Sequence, residues 1–276
     1  MNRNKILFLL IIIVSSLTCS VDPTANNSSG LRIVSLSPSI TSQVIDLGAE
    51  DNLVGITPYS KSTKEIAIVG TYVNPSIEII ISLRPDIVLM SEEDSDTQRD
   101  NFFKKFGLRY YKFGRNENFE TICDNYKKLS DIIGIRNYAE KKIASYIDRL
   151  NMIKASGASL KVAFLVSVKP LIAVSGKSYI SNIIERAGGD NIFDELKNPY
   201  PILTLESLII KEPHVVIVMN PGDEQYLASR LKDFKNIEFI NKKNIFAIGD
   251  ENIPYYTPKD YVISVEKIYA ILNHAQ

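Results

Sequence analysis

With 276 residues the chain is longer than one average domain, so two lobes or one large α/β domain are the architectures to test. Hydrophobic residues make up 45% and charged residues 23%, an ordinary globular composition that argues against a disordered chain or a polytopic membrane protein. The 32 basic residues balance 32 acidic ones, and without a basic surplus no nucleic-acid partner is expected.

Arg3 and Lys5 precede an unbroken apolar run, Ile6 to Val14, which Ser15-Ser16-Leu17-Thr18-Cys19 closes. The run falls short of the roughly 20 apolar residues a membrane span needs, and the pattern predicts a secretory signal over residues 1–18. A Cys at that boundary resembles the lipobox of bacterial lipoproteins, which implies lipidation of Cys19; the alternative is an incidental Cys in a conventional signal peptide. Residues 19–30, rich in Ser, Asn and Pro, are expected to be a flexible tether. Cys123 is then left without a partner, so no disulfide framework is expected, and it reads as a small buried apolar residue. Two His and this Cys pattern assemble no zinc motif.

The fold is expected to begin near Leu31. Ile33 to Leu36 predicts a strand, Ile40 to Leu47 a helix ending at Gly48, and Leu53 to Ile56 a second strand. Pro75 to Leu83 predicts a short helix stopped before Arg84-Pro85, followed by a strand over 86–90 that is apolar from Ile87 on. A helix over 96–106 and a strand over 109–113 complete a first lobe, 31–134, with a mainly parallel sheet. The segments 119–133 and 138–153 together predict about 35 residues of helix, the second part crossing between lobes as a linking segment over 135–157. Residues 158–276 repeat the alternation as a second lobe. Strands are expected over 161–166, 171–174, 215–219, 237–240 and 245–248, with helices over 178–187, 203–211, 224–234 and 259–272. Asn74 to Val88 is echoed by Leu203 to Val216: a glutamate early in a short helix, a Pro, then a buried strand, a pattern suggesting lobes related by a pseudo-twofold.

Arg32 to Ser39, Ile77-Glu78 with Leu83 to Leu89, Ala187 to Phe193, and Thr204 to Leu208 resemble, in order, the signature stretches of the substrate-binding proteins of importers for cobalamin, haem and iron-siderophores. The resemblance covers the chain from Leu31 to the last helix. It implies an α/β fold of two lobes with central mainly parallel sheets joined by a single long helix. It also implies a binding protein, not an enzyme, acting as a monomer. The partner implied is a permease dimer with its ATPase subunits, reached from the membrane through the lipid anchor. Glu78 and Glu206 match the family glutamates that pair with permease arginines; a helix-capping carboxylate is the plainer alternative.

The ligand is expected between the lobes. Tyr59, Tyr72, Tyr200, Tyr255 and Tyr256 resemble the positions where cobalamin binders place aromatic rings, and Tyr suits a large flat amphipathic ligand. The chain has no Trp. Lys259 matches a basic residue near the cleft in some relatives, or is an exposed first-turn lysine. The implied cargo is a corrinoid, with haem or an iron-siderophore as the alternative; no resident cofactor or metal is expected. His214, opening a strand, reads as structural, and Glu92-Glu93-Asp94 as a solvated turn. A secreted α/β hydrolase, the remote alternative, would need a Gly-x-Ser-x-Gly elbow and a usable His, and the sequence offers neither.

Overall fold

The computed structural model describes residues 30–92, 97–153, 159–234, 237–249 and 257–275. Cys19, Tyr255, Tyr256, Glu93 and Asp94 lie outside them, as does Gly157, expected to close the linking helix.

Five parallel strands form the first sheet in the order β3-β2-β1-β4-β5: β1 (Ile33–Ser35), β2 (Leu53–Ile56), β3 (Ala67–Ile68), β4 (Ile87–Ser91) and β5 (Tyr110–Phe113). Helices α1 (Pro38–Asp46), α2 (Ile77–Ser82) and α3 (Thr97–Lys105) connect them. The second sheet runs β10-β9-β6-β7, with β8 pairing β6: β6 (Leu160–Val168), β7 (Leu171–Ala173), β8 (Gly189–Asn191), β9 (Val215–Val218) and β10 (Ile245–Ala247). Among the described strands of this sheet only β7 is antiparallel, returning beside β6 as a hairpin. Its helices are α6 (Tyr179–Arg186), α7 (Leu205–Ile210), α8 (Asp223–Leu231) and α9 (Glu238–Asn241).

Between the sheets run α4 (Phe119–Ile133) and α5 (Arg136–Met152), and α10 (Pro258–Ala275) packs back on α4, α5 and α6. The expected long helix is broken where Gly134 takes a left-handed conformation, φ 84°, and its N–H caps carbonyls of Ser130 and Asp131. Asn118 and Thr121 close the other end of α4 with a reciprocal capping box. The 17 residues of α5, about 25 Å long, carry the chain to the second sheet.

Alternation along the strands sorts side chains onto two faces. Ile33 and Leu89 of the first sheet and Val162, Phe164, Val215 and Ile217 of the second join one apolar cluster with α1, α4, α5, α6 and α10. The opposite faces are separate. Val34, Val88 and Met90 lie under Ile80 of α2 and Phe103 of α3. Ala163, Leu165, Val216 and Val218 lie with Leu208 of α7, Leu227 of α8 and Phe239 of α9.

The internal echo is structural. α2 and α7 have six residues each, are capped by Ser76 and Thr204, carry glutamate as second residue and bury the fourth, Ile80 or Leu208. Each ends in a non-glycine residue at positive φ, Arg84 (47°) and Glu212 (48°), before its Pro. The next residue clamps the neighbouring strand by the same pair of bonds. Asp86 N donates to the Arg32 carbonyl and the Asp86 carboxylate accepts from Arg32 N (2.7 Å). His214 N donates to the Lys161 carbonyl and its Nδ1 accepts from Lys161 N (3.0 Å). The structural part expected of His214 is thus specified.

One expected strand is absent. Residues 238–240 fall in α9 with Ile237 as its N-cap; Phe239 is buried and Glu238 reaches Lys242 one turn on (2.8 Å), a pairing helical spacing favours. Two strands too short to leave a periodic signal, β3 and β8, were not expected.

The break between α4 and α5 gives a test. Gly134→Ala places a Cβ in open space but at φ 84°, a conformation that disfavours L-residues by about 1–2 kcal/mol. The thermal midpoint is expected to fall by roughly 2–8 °C, measured by circular dichroism; an unchanged midpoint contradicts the left-handed cap.

Candidate functional site

Tyr59 and Tyr72 follow β2 and β3 at the carboxyl edge of the first sheet. Tyr59 occupies a turn closed by Thr57 and Ser60, whose hydroxyls meet at 2.9 Å, and Ser60 in turn meets Thr41 Oγ1 of α1 (3.2 Å). Tyr72 rides on the turn before α2, whose base is pinned by pairing of Gly70 with Pro75 and whose Tyr72 carbonyl accepts from the Arg99 guanidinium. Gly70 is required there: a Cβ would stand 2.6 Å from the Asn74 carbonyl oxygen, and φ is 88°.

Tyr200 is not in a strand-end loop. Residues 199–203 run antiparallel beside β7, through bonds from Ser175 N to Pro199 O, Ala173 N to Pro201 O and Leu203 N to Leu171 O. The Tyr200 hydroxyl accepts from Ser178 Oγ at 3.3 Å. Among the described residues no hydrogen bond or ring contact joins any two of Tyr59, Tyr72 and Tyr200. All three are nonetheless exposed, at 68%, 43% and 41%, and Tyr138 is the only other described tyrosine that is.

The loop that Tyr59 opens leads to a cavity of about 470 Å³ bridging the two halves of the chain. Ser42, Ile45 and Asp46 of α1 and Lys61, Ser62 and Thr63 of the loop form one wall; Thr257, Lys259 and Asp260 at the start of α10 form the other. Exposed Lys259 therefore faces the Tyr59 loop across a polar cavity. Glu50 fixes that loop by accepting from Ser62 Oγ, Thr63 N and Thr63 Oγ1. Partial burial works against ionisation of Glu50, but these bonds outweigh it and hold the carboxyl below its ordinary range.

Asp46 and Asp260 meet this cavity from opposite sides, a pairing no sequence signal revealed. Asp46 pairs with Lys142 of α5 (3.0 Å) and accepts from the Tyr126 hydroxyl of α4 (2.6 Å). Asp260 and Thr257 cap α10 reciprocally: Thr257 Oγ1 accepts from Asp260 N and donates to Asp260 Oδ2. Burial holds the Asp260 carboxyl above its ordinary range; the Asp46 charge adds to this, against the Thr257 bond. Nearby, Arg149 of α5 makes a bidentate pair with Glu266 of α10, at 2.9 and 2.6 Å.

Cys123 is buried, as expected, and burial pushes its thiol up to about 12. It lines a separate cavity of about 440 Å³ among α4, α5, α6 and α10, away from the three exposed tyrosines.

Glu78 and Glu206 are both exposed. Ser76 Oγ donates to Glu78 at 3.3 Å, and the backbone N–H of Glu206, with the Thr204 hydroxyl, holds the Glu206 carboxyl below its ordinary range. The capping alternative is thus partly realised, yet both carboxylates remain exposed, and exposed apolar residues lie within five positions of each in sequence: Val73 and Ile79 for Glu78, Ile202 and Ile210 for Glu206.

The architecture of two mainly parallel sheets joined through α5 is that of two-lobed periplasmic binding proteins. The periplasmic vitamin B12 binding protein of Vibrio cholerae superposes with a TM-score of 0.76 at 23% identity, over 89% of this chain and 97% of that one. The periplasmic haem binding protein of the same species gives 0.79 at 19%, over 88% and 99%. In sequence, the vitamin B12-binding protein of Vibrio parahaemolyticus is 28% identical over 219 residues, 77% of each chain. The family described as "Periplasmic binding protein" matches residues 33–251, and the chain belongs to it. Its members bind and carry rather than catalyse, as expected of this chain.

Asp260 supplies a pH test. Its folded-state carboxyl takes a proton more readily than the unfolded one, so wild-type protein loses stability as pH rises through the raised folded-state value. Asp260→Asn keeps an acceptor for Thr257 and removes the titration. Its unfolding midpoint should match wild type near pH 4, about the unfolded Asp value, and exceed it at neutral pH. A difference constant with pH refutes the raised carboxyl.

Proposed function

We propose that this protein is an extracytoplasmic lipoprotein that captures a corrinoid and delivers it to the permease of an ATP-driven importer. The lobes are 31–134 and 158–276, with 135–157 linking them and Cys19 carrying the lipid. The observation that carries the reading is the exposure of Tyr59, Tyr72 and Tyr200 in a chain whose other described tyrosines, Tyr138 apart, are at least half-buried. Exposed rings have unsatisfied apolar faces, and a broad flat ligand covers several at once while the hydroxyls reach its polar edge. The relatives named as vitamin B12-binding proteins support a corrinoid over other chelates. The family resemblance also assigns Tyr255 and Tyr256 to the ligand, and Lys259 lies on the cavity wall facing the Tyr59 loop.

Haem is the second reading, favoured by the fold of the haem binding protein of Vibrio cholerae and by tyrosines able to serve as an axial ligand. Both readings share the delivery step. Glu78 and Glu206 each offer an exposed carboxylate on a short helix of its own lobe, so two separated ion pairs would orient the protein on a permease carrying matching arginines.

Isothermal titration separates the cargoes: heat with cyanocobalamin and none with haemin is expected, and the reverse overturns the corrinoid. Glu78→Ala and Glu206→Ala should leave that binding unchanged while each lowers corrinoid uptake by cells several-fold. Unchanged uptake in the double variant removes the docking role. Mass spectrometry of the membrane fraction should find a diacylglyceryl group on Cys19 as the new amino terminus.

A further inference from the structure

Among the described residues the buried side-chain polar atoms without a hydrogen-bond partner gather in one place: Arg99 Nε, Arg99 Nη2 and Asp100 Oδ1. Arg99, third residue of α3, is only 5% exposed. Its Nη1 donates to the Tyr72 carbonyl, which puts the guanidinium at the carboxyl edge of the first sheet, between the first turn of α3 and the turn carrying Tyr72. No described carboxylate pairs with it; Asp100 is engaged by Lys112 at 2.5 Å. A buried cation with two idle donors is strongly unfavourable unless something fills them.

The idle atoms are informative as a pair. Nε and Nη2 form one edge of the guanidinium, the planar fork that matches two oxygens of a carboxylate or phosphate. Arg149 shows that edge occupied, with Nε and Nη2 each on one oxygen of Glu266. At Arg99 the far end is tethered and the fork is empty, while the first turn of α3 adds a favourable field for an anion.

We propose that the Nε and Nη2 edge of Arg99 is an anion site in the first lobe that takes one phosphate or carboxylate group of the bound ligand. This rests on the reading of the chain as a carrier of a metal chelate. The two sources of that chemistry are the phosphodiester of a corrinoid's nucleotide loop and a propionate of haem. The edge is enclosed in the free protein, so the group reaches it as the Tyr72 turn, with Tyr72 and Val73 exposed, shifts on the ligand.

Titration of the full-length protein with two matched pairs tests this: cyanocobalamin against dicyanocobinamide, which lacks the phosphate, and haemin against its dimethyl ester. Wild-type protein should prefer the anion-bearing member of the pair it binds. Arg99→Gln should weaken that member by about tenfold or more, the range for a charged hydrogen bond, and change the other little. Arg99→Lys should recover part of the loss, and unfolding midpoints of both variants confirm that they fold. Equal loss for both members would make Arg99 a positioning residue for the Tyr72 turn and overturn the anion site, as would no loss or no wild-type preference. Wild-type protein that binds none of the four overturns the carrier reading, and the anion site with it.

Discussion

A single apolar cluster holds the molecule together. It takes the inward face of each sheet, Ile33 and Leu89 from one and Phe164 and Ile217 from the other, and joins them through α4, α5 and α10. Burial of apolar surface is worth roughly 25 cal/mol per Å², so pulling the sheets apart would expose a large face of both. The chain crosses between sheets on α5, but the lobes are packed as well as linked. Arg149 with Glu266, and Phe119 against Tyr261 at 5.0 Å, bind α10 to α5 and α4 along the seam. The cavity lined by Lys61 and Lys259 borders the start of α10, with Asp46 and Asp260 on its opposite walls.

Because the cluster occupies the inward faces, the outward faces are free to differ in covering and to carry function. α2 and α7 cover them with one buried residue each and leave their glutamates in solvent. The shared cluster and the exposed glutamates thus lie on opposite sides of the same strands. Within one strand, alternate residues serve the two: Val215 and Ile217 face the shared cluster, Val216 and Val218 the side under α7.

Much of this was legible in the sequence. The strands at 33–36 and 86–90 were short, mainly apolar runs, and Gly134 stood where α4 ends. Residues 237–240 misled because a four-residue run with three apolar members fits a strand or one helical turn equally; the helical turn buries Phe239 fully and lets Glu238 reach Lys242. Tyr59, Tyr72 and Tyr200 were singled out by the family resemblance, and all three are exposed, though Tyr200 lies on an edge segment beside β7. Asp46, Asp260 and Arg99 left no local signal. Their significance comes from contacts between residues far apart in the chain, or from the lack of one, and neither has a period.

The matched construction of α2 and α7 has a mechanical consequence. Each glutamate is fixed to its own sheet by a hydroxyl cap, a buried fourth residue and a backbone clamp on the adjoining strand, so neither can drift independently of its lobe. Any surface that engages both carboxylates at once therefore works as a caliper: it gauges the spacing and relative orientation of the two sheets.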